Sequence, residues 1–229
     1  MNIGIIGYGK MGRAVEKCAI QKGHNIVFKI NSLNKHDLNK NNLSLIDVAI
    51  EFSSPQCAFD NIVFCLTNKV PIVSGTTGWQ KRLPTIKDIC LTHKASFLHA
   101  PNFSLGVNIF FDINNYVAKL MQLKKYNIEL EEKHHKMKKD MPSGTAIKIL
   151  NDISLFRNKN NENPIPIKSK RMGQVKGEHI VKYISEIDEI TISHKSKNRN
   201  GFSEGALLAA EFIRDKQGYF KMTDVIKNL

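Results

Sequence analysis

The densest chemistry in the chain lies in Glu131–Thr145, EEKHHKMKKDMPSGT. It sets His134 and His135 beside Lys136, Lys138 and Lys139, then places Pro142-Ser143-Gly144-Thr145 where a helix should open. Ser143 suits an N-cap, which leaves the N–H groups of Gly144, Thr145 and Ala146 for an anion. Lysines next to a helix N-terminus make a pocket for a carboxylate or a phosphate. A histidine among lysines loses proton affinity, which brings it into range for proton transfer near neutrality. A metal site is not expected, because adjacent histidines point apart on a strand and ammonium groups repel a cation. The plain alternative is a solvated basic loop, and the paired histidines beside P-S-G-T weigh against it.

A second constellation opens the chain. Ile3–Ile6 runs into Gly7-Tyr8-Gly9-Lys10-Met11-Gly12, a G-x-G-x-x-G between a strand-like and a helix-like segment. Gly7 permits the tight turn, Gly9 lets backbone approach a pyrophosphate, and Gly12 lets helix and sheet pack closely. The N–H groups of the first helical turn then face phosphates. The acid expected about 20 residues on, to bind a ribose hydroxyl, is replaced by Asn31, with Lys29 and Lys35 nearby. Asn31 can bond a hydroxyl but repels no phosphate, and the lysines either meet one or are merely solvated. NADH and NADPH both remain open. Phe52-Ser53-Ser54-Pro55 and Gly75-Thr76-Thr77-Gly78-Trp79 each follow a predicted strand, where open α/β sheets bind ligands.

Those residues need a scaffold, and the periodicity supplies one. Strands are predicted at Asn2–Ile6, Asn25–Ile30, Asp47–Phe52, Val70–Ser74 and Ser96–His99, separated by helices at Met11–Lys22, Pro55–Asn68 and Leu83–Lys94. The polar stretch NSLNKHDLNKNN is expected to be a loop or a degraded element. Alternation of this kind means βαβ units and a parallel sheet. After residue 105 the rhythm changes. Val107–Lys124 reads as a long amphipathic helix with Ile109, Ile113, Tyr116, Val117 and Leu120 spaced three to four apart. Strands at Asn127–Glu132, Glu178–Ser185 and Glu189–His194 flank a helix at Thr145–Phe156, and Asn158–Lys170 reads as a polar, proline-interrupted loop. The fold class is therefore α/β: a Rossmann-like doubly wound parallel sheet plus a smaller α+β domain. The expected division is 1–104 with 201–229 for the dinucleotide and 105–200 for substrate and oligomerisation.

Composition limits the partners. The chain has 229 residues, a formal charge of +13 and 41% hydrophobic content, enough to bury a core and too apolar for disorder. No run approaches the ~18 apolar residues of a membrane span, and because MNIGIIGYGK reads as a strand no leader is expected. Cys18, Cys57, Cys65 and Cys90 lie far apart, so neither zinc nor a disulfide framework is expected and a cytoplasmic location is. The charge could serve nucleic acid, an acidic membrane surface or a small anion. Six of the 34 basic residues are arginine, a poor ratio for reading base edges, and much of the lysine excess reads as diffuse accumulation.

Taken together, the motifs resemble the 4-hydroxy-tetrahydrodipicolinate reductase (dihydrodipicolinate reductase) family of diaminopimelate and lysine biosynthesis. The matching pieces are the glycine loop ending Met11-Gly12-Arg13, EFSSP, GTTGW, APNFSLGVN, EKHHKMKKDMPSGTA, GEH and ISHKSKNRNGFSEGALLAAEF. The resemblance implies that His134 is the general acid and Lys138 its catalytic partner, with His135, Gly144 and Thr145 on the substrate. It places Gly75, Thr76, Thr77, Ala100, Pro101, Asn102 and Phe103 on the nicotinamide side. It also implies hydride transfer to C4 of a small dicarboxylate from NADH or NADPH, protonation at C3, a homotetramer, and a final helix returning to the nucleotide domain. The family's glycine loop is one residue longer than this one. Two rivals predict differently: an amino-acid dehydrogenase gives His134 and Lys138 no role, and a nucleic-acid binder requires salt-sensitive affinity for DNA or RNA.

Overall fold

The computed structural model describes residues 1–122, 125–157, 164–198 and 200–229. In chain order the elements are β1 (Asn2–Ile6), α1 (Lys10–Gln21), β2 (Asn25–Ile30), α2 (Lys40–Leu43), β3 (Val48–Glu51), α3 (Pro55–Thr67), β4 (Ile72–Ser74), α4 (Leu83–Thr92) and β5 (Ser96–His99). They continue as α5 (Leu105–Leu120), β6 (Asn127–His134), α6 (Gly144–Ser154), β7 (Ile167–Arg171), β8 (Glu178–Ile184), β9 (Glu189–Lys195), α7 (Asn200–Ile213), β10 (Gly218–Phe220) and α8 (Met222–Ile226). Contacts divide them into two compact units, Met1–Leu105 with Asn200–Leu229 and Gly106–Arg199.

The first unit is a six-stranded sheet in the order β10-β5-β4-β3-β1-β2, every pair parallel. Its central strands are near-continuous apolar runs, as burial on both faces requires. Ile3, Ile5, Val48 and Ile50 pack on one side with Val15 of α1 and Ala206, Ala210 and Ile213 of α7. Ile6, Ala49, Ile72 and Phe97 pack on the other with Ile62 of α3 and Ile86 of α4. This is the expected doubly wound sheet, and α7 returns to it from the far end of the chain. Because β2 and β3 flank β1 on opposite sides, the connections reverse direction at β1, which opens a crevice at its carboxyl end.

The second unit is a four-stranded mixed sheet, β7-β6-β8-β9, in which β6 pairs parallel to β7 and antiparallel to β8. Leu130, Val181 and Tyr183 line its buried face against Val107, Phe110 and Phe111 of α5 and Ala146, Ile149 and Ile153 of α6. The other side of α5 leaves Ile109, Ile113, Tyr116 and Leu120 at 39%, 46%, 65% and 55% exposure. Of the apolar stripe read from the spacing, Val117 packs against the core of this unit, and the other four residues form a face that this chain alone does not cover.

Three elements depart from the sequence reading. Ile167–Lys170, expected in a loop, belongs to β7; the lysines at 168 and 170 mask a period-two strand whose inward residues are Ile167, Ser169 and Arg171. Residues 158–163 of that expected loop, and the last two residues of the helix expected over 107–124, lie outside the described residues. The polar stretch before β3 holds a short 3-10 turn at Lys35–Asp37 and α2, capped by Asn39. The short strand β10 and α8 were unanticipated, since three residues carry no period. We expect Phe97→Ala, which empties a fully buried site on β5, to lower unfolding stability by about 3–5 kcal/mol in a urea titration.

Candidate active site

Each dinucleotide candidate sits at the carboxyl edge of the parallel sheet. The glycine loop follows β1, Asn31 follows β2, Phe52 and Ser53 follow β3, Gly75–Thr77 follow β4, and Ala100–Phe103 follow β5. A cleft of ≈ 450 Å³ opens there, lined by Gly7, Tyr8, Gly9, Asn31, Ser32, Lys35, Phe52 and Ser53. The three loop glycines are not equivalent. A Cβ on Gly7, whose φ is +95°, would lie 2.2 Å from the Phe52 carbonyl oxygen, and one on Gly12 would lie 2.5 Å from the Gly7 carbonyl oxygen. A Cβ on Gly9 would meet nothing within 4 Å. Gly7 and Gly12 are therefore required by the fold, whereas Gly9 borders open space of the kind a pyrophosphate needs. No side chain caps α1 and no acid sits in its first turn, so its N-terminal amides at Lys10, Met11 and Gly12 suit an anion. These residues fit the phosphate part of a dinucleotide.

At the β2 end of the cleft the polar groups are partly committed. Lys29 bonds Glu16 at 3.0 Å, and Tyr8 also donates its hydroxyl to Glu16. The Asn31 side-chain oxygen accepts from the Leu33 N–H at 2.8 Å, which leaves its amide hydrogens for a ligand. Lys35, not Lys29, is the lysine that lines the cleft.

The loops farther along the same edge hang on Glu51, the last residue of β3, which has no exposed surface. Its carboxylate accepts from the Ser53 N–H at 2.8 Å and hydroxyl at 2.5 Å, the Ser74 hydroxyl at 2.5 Å and the Thr76 hydroxyl at 2.8 Å. Trp79 donates its indole N–H to the Thr76 carbonyl at 2.7 Å, and Phe52 packs edge-on against Phe103 at 5.7 Å. Thr77 and Pro101 are exposed, while Thr76, Ala100 and Phe103 are buried.

In the second unit, the end of β6 and the start of α6 bring His134, Lys138, Gly144 and Thr145 together around Glu132. Glu132 is wholly buried. Its oxygens accept the Ser143 N–H at 3.1 and 3.2 Å and the Arg171 Nη2–H at 3.0 Å. His134 Nδ1 lies 3.3 Å from Glu132 Oε2, off the hydrogen-bond line, so that buried nitrogen has charge attraction but no hydrogen-bond partner. His179 Nε2 is 3.9 Å from the same oxygen and 3.3 Å from the Ser143 hydroxyl, and the two imidazoles meet edge-on at 5.1 Å. The backbone of Gly177 closes against His134, since a Cβ there would lie 3.3 Å from Nε2.

Two expectations change. The Ser143 hydroxyl accepts the Ala146 N–H at 3.1 Å, so only Gly144 and Thr145 remain as anion donors at this helix start. Lys138 is a paired cation: its Nζ bonds both oxygens of Asp140 at 2.8 Å, so any anion approaching it would have to share or replace that contact. His135 leaves the strand and is half-buried at the start of the turn.

His134 has its proton affinity lowered as expected, but burial is the leading cause; Lys138 and Arg171 add to it, while Glu132 and Asp140 oppose it. For Glu132, burial alone would raise the carboxyl, and the converging groups of Ser143, Ser169 and Arg171 outweigh it and hold it low. Burial, with His134 beside it, pushes His179 down to about 4.

Glu132, Arg171, His179 and Asp140 were missed as functional candidates. The signal for Glu132 was present: Leu130, Glu132 and His134 alternate along a strand and share one buried face. Pairing explains the rest, because β6 sets Glu132 opposite His179 on β8, and His134 opposite Arg171 on β7.

A doubly wound sheet with a phosphate-ready glycine loop, joined in one chain to a cationic histidine–lysine site, defines an NAD(P)H-dependent oxidoreductase. Residues 1–103 match the family model for the dihydrodipicolinate reductase N-terminus, and residues 106–226 match that for its C-terminus. The chain belongs to the dihydrodipicolinate reductase family, whose place is diaminopimelate and lysine biosynthesis. A 4-hydroxy-tetrahydrodipicolinate reductase of Christiangramia forsetii is 44% identical over 239 residues, covering 100% of this chain and 99% of that one. One of Rickettsia bellii is 34% identical over 252 residues, covering 100% and 96%. Among solved structures, a dipicolinate-bound dihydrodipicolinate reductase from Paenisporosarcina sp. TG-14 has the same fold, with a TM-score of 0.83 at 23% identity over 96% of this chain and 97% of that one.

The glycine geometry separates folding from binding. Gly9→Ala should leave the thermal midpoint within about 2 °C of the parent and weaken NADH and NADPH roughly 10-fold or more by fluorescence titration, whereas Gly7→Ala should lower the midpoint itself. His179 makes stability pH-dependent. The unfolded imidazole takes a proton near pH 6.5 and the folded one only near 4, so its stabilisation is full above 6.5 and lost as pH falls through 4. We expect that contribution to be about 3 kcal/mol and the acid slope of urea stability to flatten in His179→Gln.

Proposed function

We propose that the chain reduces 4-hydroxy-tetrahydrodipicolinate to tetrahydrodipicolinate. The observation that carries this reading is the convergence of a buried histidine, a lysine and the open start of α6 at one end of the mixed sheet. Residues 1–104 with 201–229 hold NADH or NADPH, and residues 105–200 hold the substrate. The 4-hydroxyl leaves as water together with a hydrogen of C3, and the nicotinamide, when bound, would supply the hydride that C4 of the resulting unsaturated ring accepts, leaving an enamine. Lys138 and the amides of Gly144 and Thr145 neutralise a substrate carboxylate, with His135 beside them, and so stabilise charge that develops on the ring. His134 then gives C3 the proton held on Nε2, the ring nitrogen opposite the one that faces Glu132. A cationic pocket with few arginines suits this dicarboxylate better than nucleic acid.

The exposed stripe Ile109–Ile113–Tyr116–Leu120 supports self-association, and we place the chain in a homotetramer. A cytoplasmic location fits the four cysteines, all of which are free. Among the described residues no helix is long and apolar enough to cross a membrane.

The direct test is oxidation of NADH and NADPH with freshly generated dihydrodipicolinate synthase product; no oxidation of either would overturn the assignment. Lys138→Ala should cost on the order of 10²-fold in kcat and leave cofactor affinity within about two-fold, and near-normal turnover would remove Lys138 from the mechanism. Ile113→Asp should shift the light-scattering mass toward smaller species, and an unchanged mass would exclude α5 from the interface.

A further inference from the structure

Nothing in the proposed chemistry uses Glu132, yet it is the best-connected side chain near His134. We infer that Glu132 is the positioning residue for His134, supplying the counter-charge of its imidazolium and fixing, through Arg171 and Ser143, the loop that carries Lys138. The inference rests on the proposed role of His134 as proton donor.

The geometry supports each part. Glu132 and His134 lie two residues apart on β6 and point to the same buried face, which brings Oε2 to 3.3 Å from Nδ1. That places the negative charge beside Nδ1, while Nε2, across the ring beside the Gly177 backbone, is the nitrogen that the proposed proton transfer uses. The other oxygen is taken by Arg171, which reaches on to the Asp140 carbonyl at 2.5 Å and the Lys138 carbonyl at 3.4 Å. The Ser143 N–H is bonded to the same carboxylate, so both ends of the Lys138 loop are tied to it.

Every charged or titratable neighbour of His134 enters the balance. Glu132 and Asp140 favour the imidazolium; Arg171 from β7 and Lys138 from the loop disfavour it, and His179 from β8 shares the carboxylate. His194 on β9 acts on His179 in turn and keeps it neutral together with burial. One carboxylate serving two adjacent imidazoles can hold a proton on one of them, and the more buried His179 yields it to His134. The ligand atoms of Glu132, His134 and His179 all lie within 4.8 Å of one another, a spacing that also suits a metal. The guanidinium already seated on that carboxylate opposes a second cation, so the trio reads as a proton-holding network.

The test compares two variants that a purely structural role would treat alike. Glu132→Gln keeps size and an acceptor but removes the charge, so the His134 pKa measured by NMR on histidine-labelled protein should fall by about one unit. Arg171→Met removes the opposing cation and should move it upward. Because a general acid works only while protonated, the high-pH fall of kcat should shift to lower pH in Glu132→Gln, with a neutral-pH loss of about 10-fold or more and KM within about three-fold. Glu132→Asp, which restores the charge, should recover part of the shift and stands in if the glutamine variant fails to fold. A His134 pKa that stays within about 0.3 units of the parent in the charge-altered variants would overturn the inference. If that pKa moves while the kcat profile does not, the positioning role stands and His134 is not the proton donor.

Discussion

A carboxylate with no access to water stays charged only if donors converge on it from elements that the chain must first bring together. Glu132 is in that position. Its donors come from Ser143 before α6 and from Arg171 on β7, and the imidazoles of β6 and β8 stand beside it. Satisfying one buried charge therefore fixes the register of β7 against β6, the start of α6 and the path of the loop between. The candidate catalytic groups are placed by electrostatic necessity as much as by apolar packing, which in this unit is a modest cluster under α5 and α6.

The nucleotide unit meets the same constraint with different means. Glu51 collects hydroxyls and an amide, with no cation among its bonded partners, and the loops after β3 and β4 are held to one another through it. A polar hub of this kind rigidifies the loops at the carboxyl edge of the sheet without placing a fixed positive charge there. Gly7 and Gly12 do the comparable work on the β1 side by backbone contact alone.

How much could be read in advance follows from the range of each signal. The parallel sheet was legible because its strands are apolar runs spaced by helices, and the glycine loop because glycine is demanded at fixed spacing by backbone sterics. That Lys138, Gly144 and Thr145 would lie together was legible because they are close in sequence. Glu132 was within reach, two residues before His134 on the same face, but a glutamate among charged neighbours looks like surface. Arg171 was not: its meaning comes from a side-chain hydrogen bond to Glu132 across 39 positions, made possible by pairing β6 with a strand whose lysines disguise its period. The stripe on α5 was seen and its direction was not, since spacing shows that a face is apolar and not what covers it.

The composition takes on a different sense beside Arg171. The chain writes 28 of its 34 basic positions as lysine. On β7 the lysines at 168 and 170 turn outward into surface ion pairs with Glu129 and Glu131, where a flexible point charge is sufficient. Arg171, on the inward face of that strand, spans a carboxylate and three carbonyls at once, a task for a flat fork with several fixed donors. Compositional bias thus becomes a background against which geometry stands out: in a lysine-saturated chain, Arg171 marks a place where shape, and not merely charge, is required.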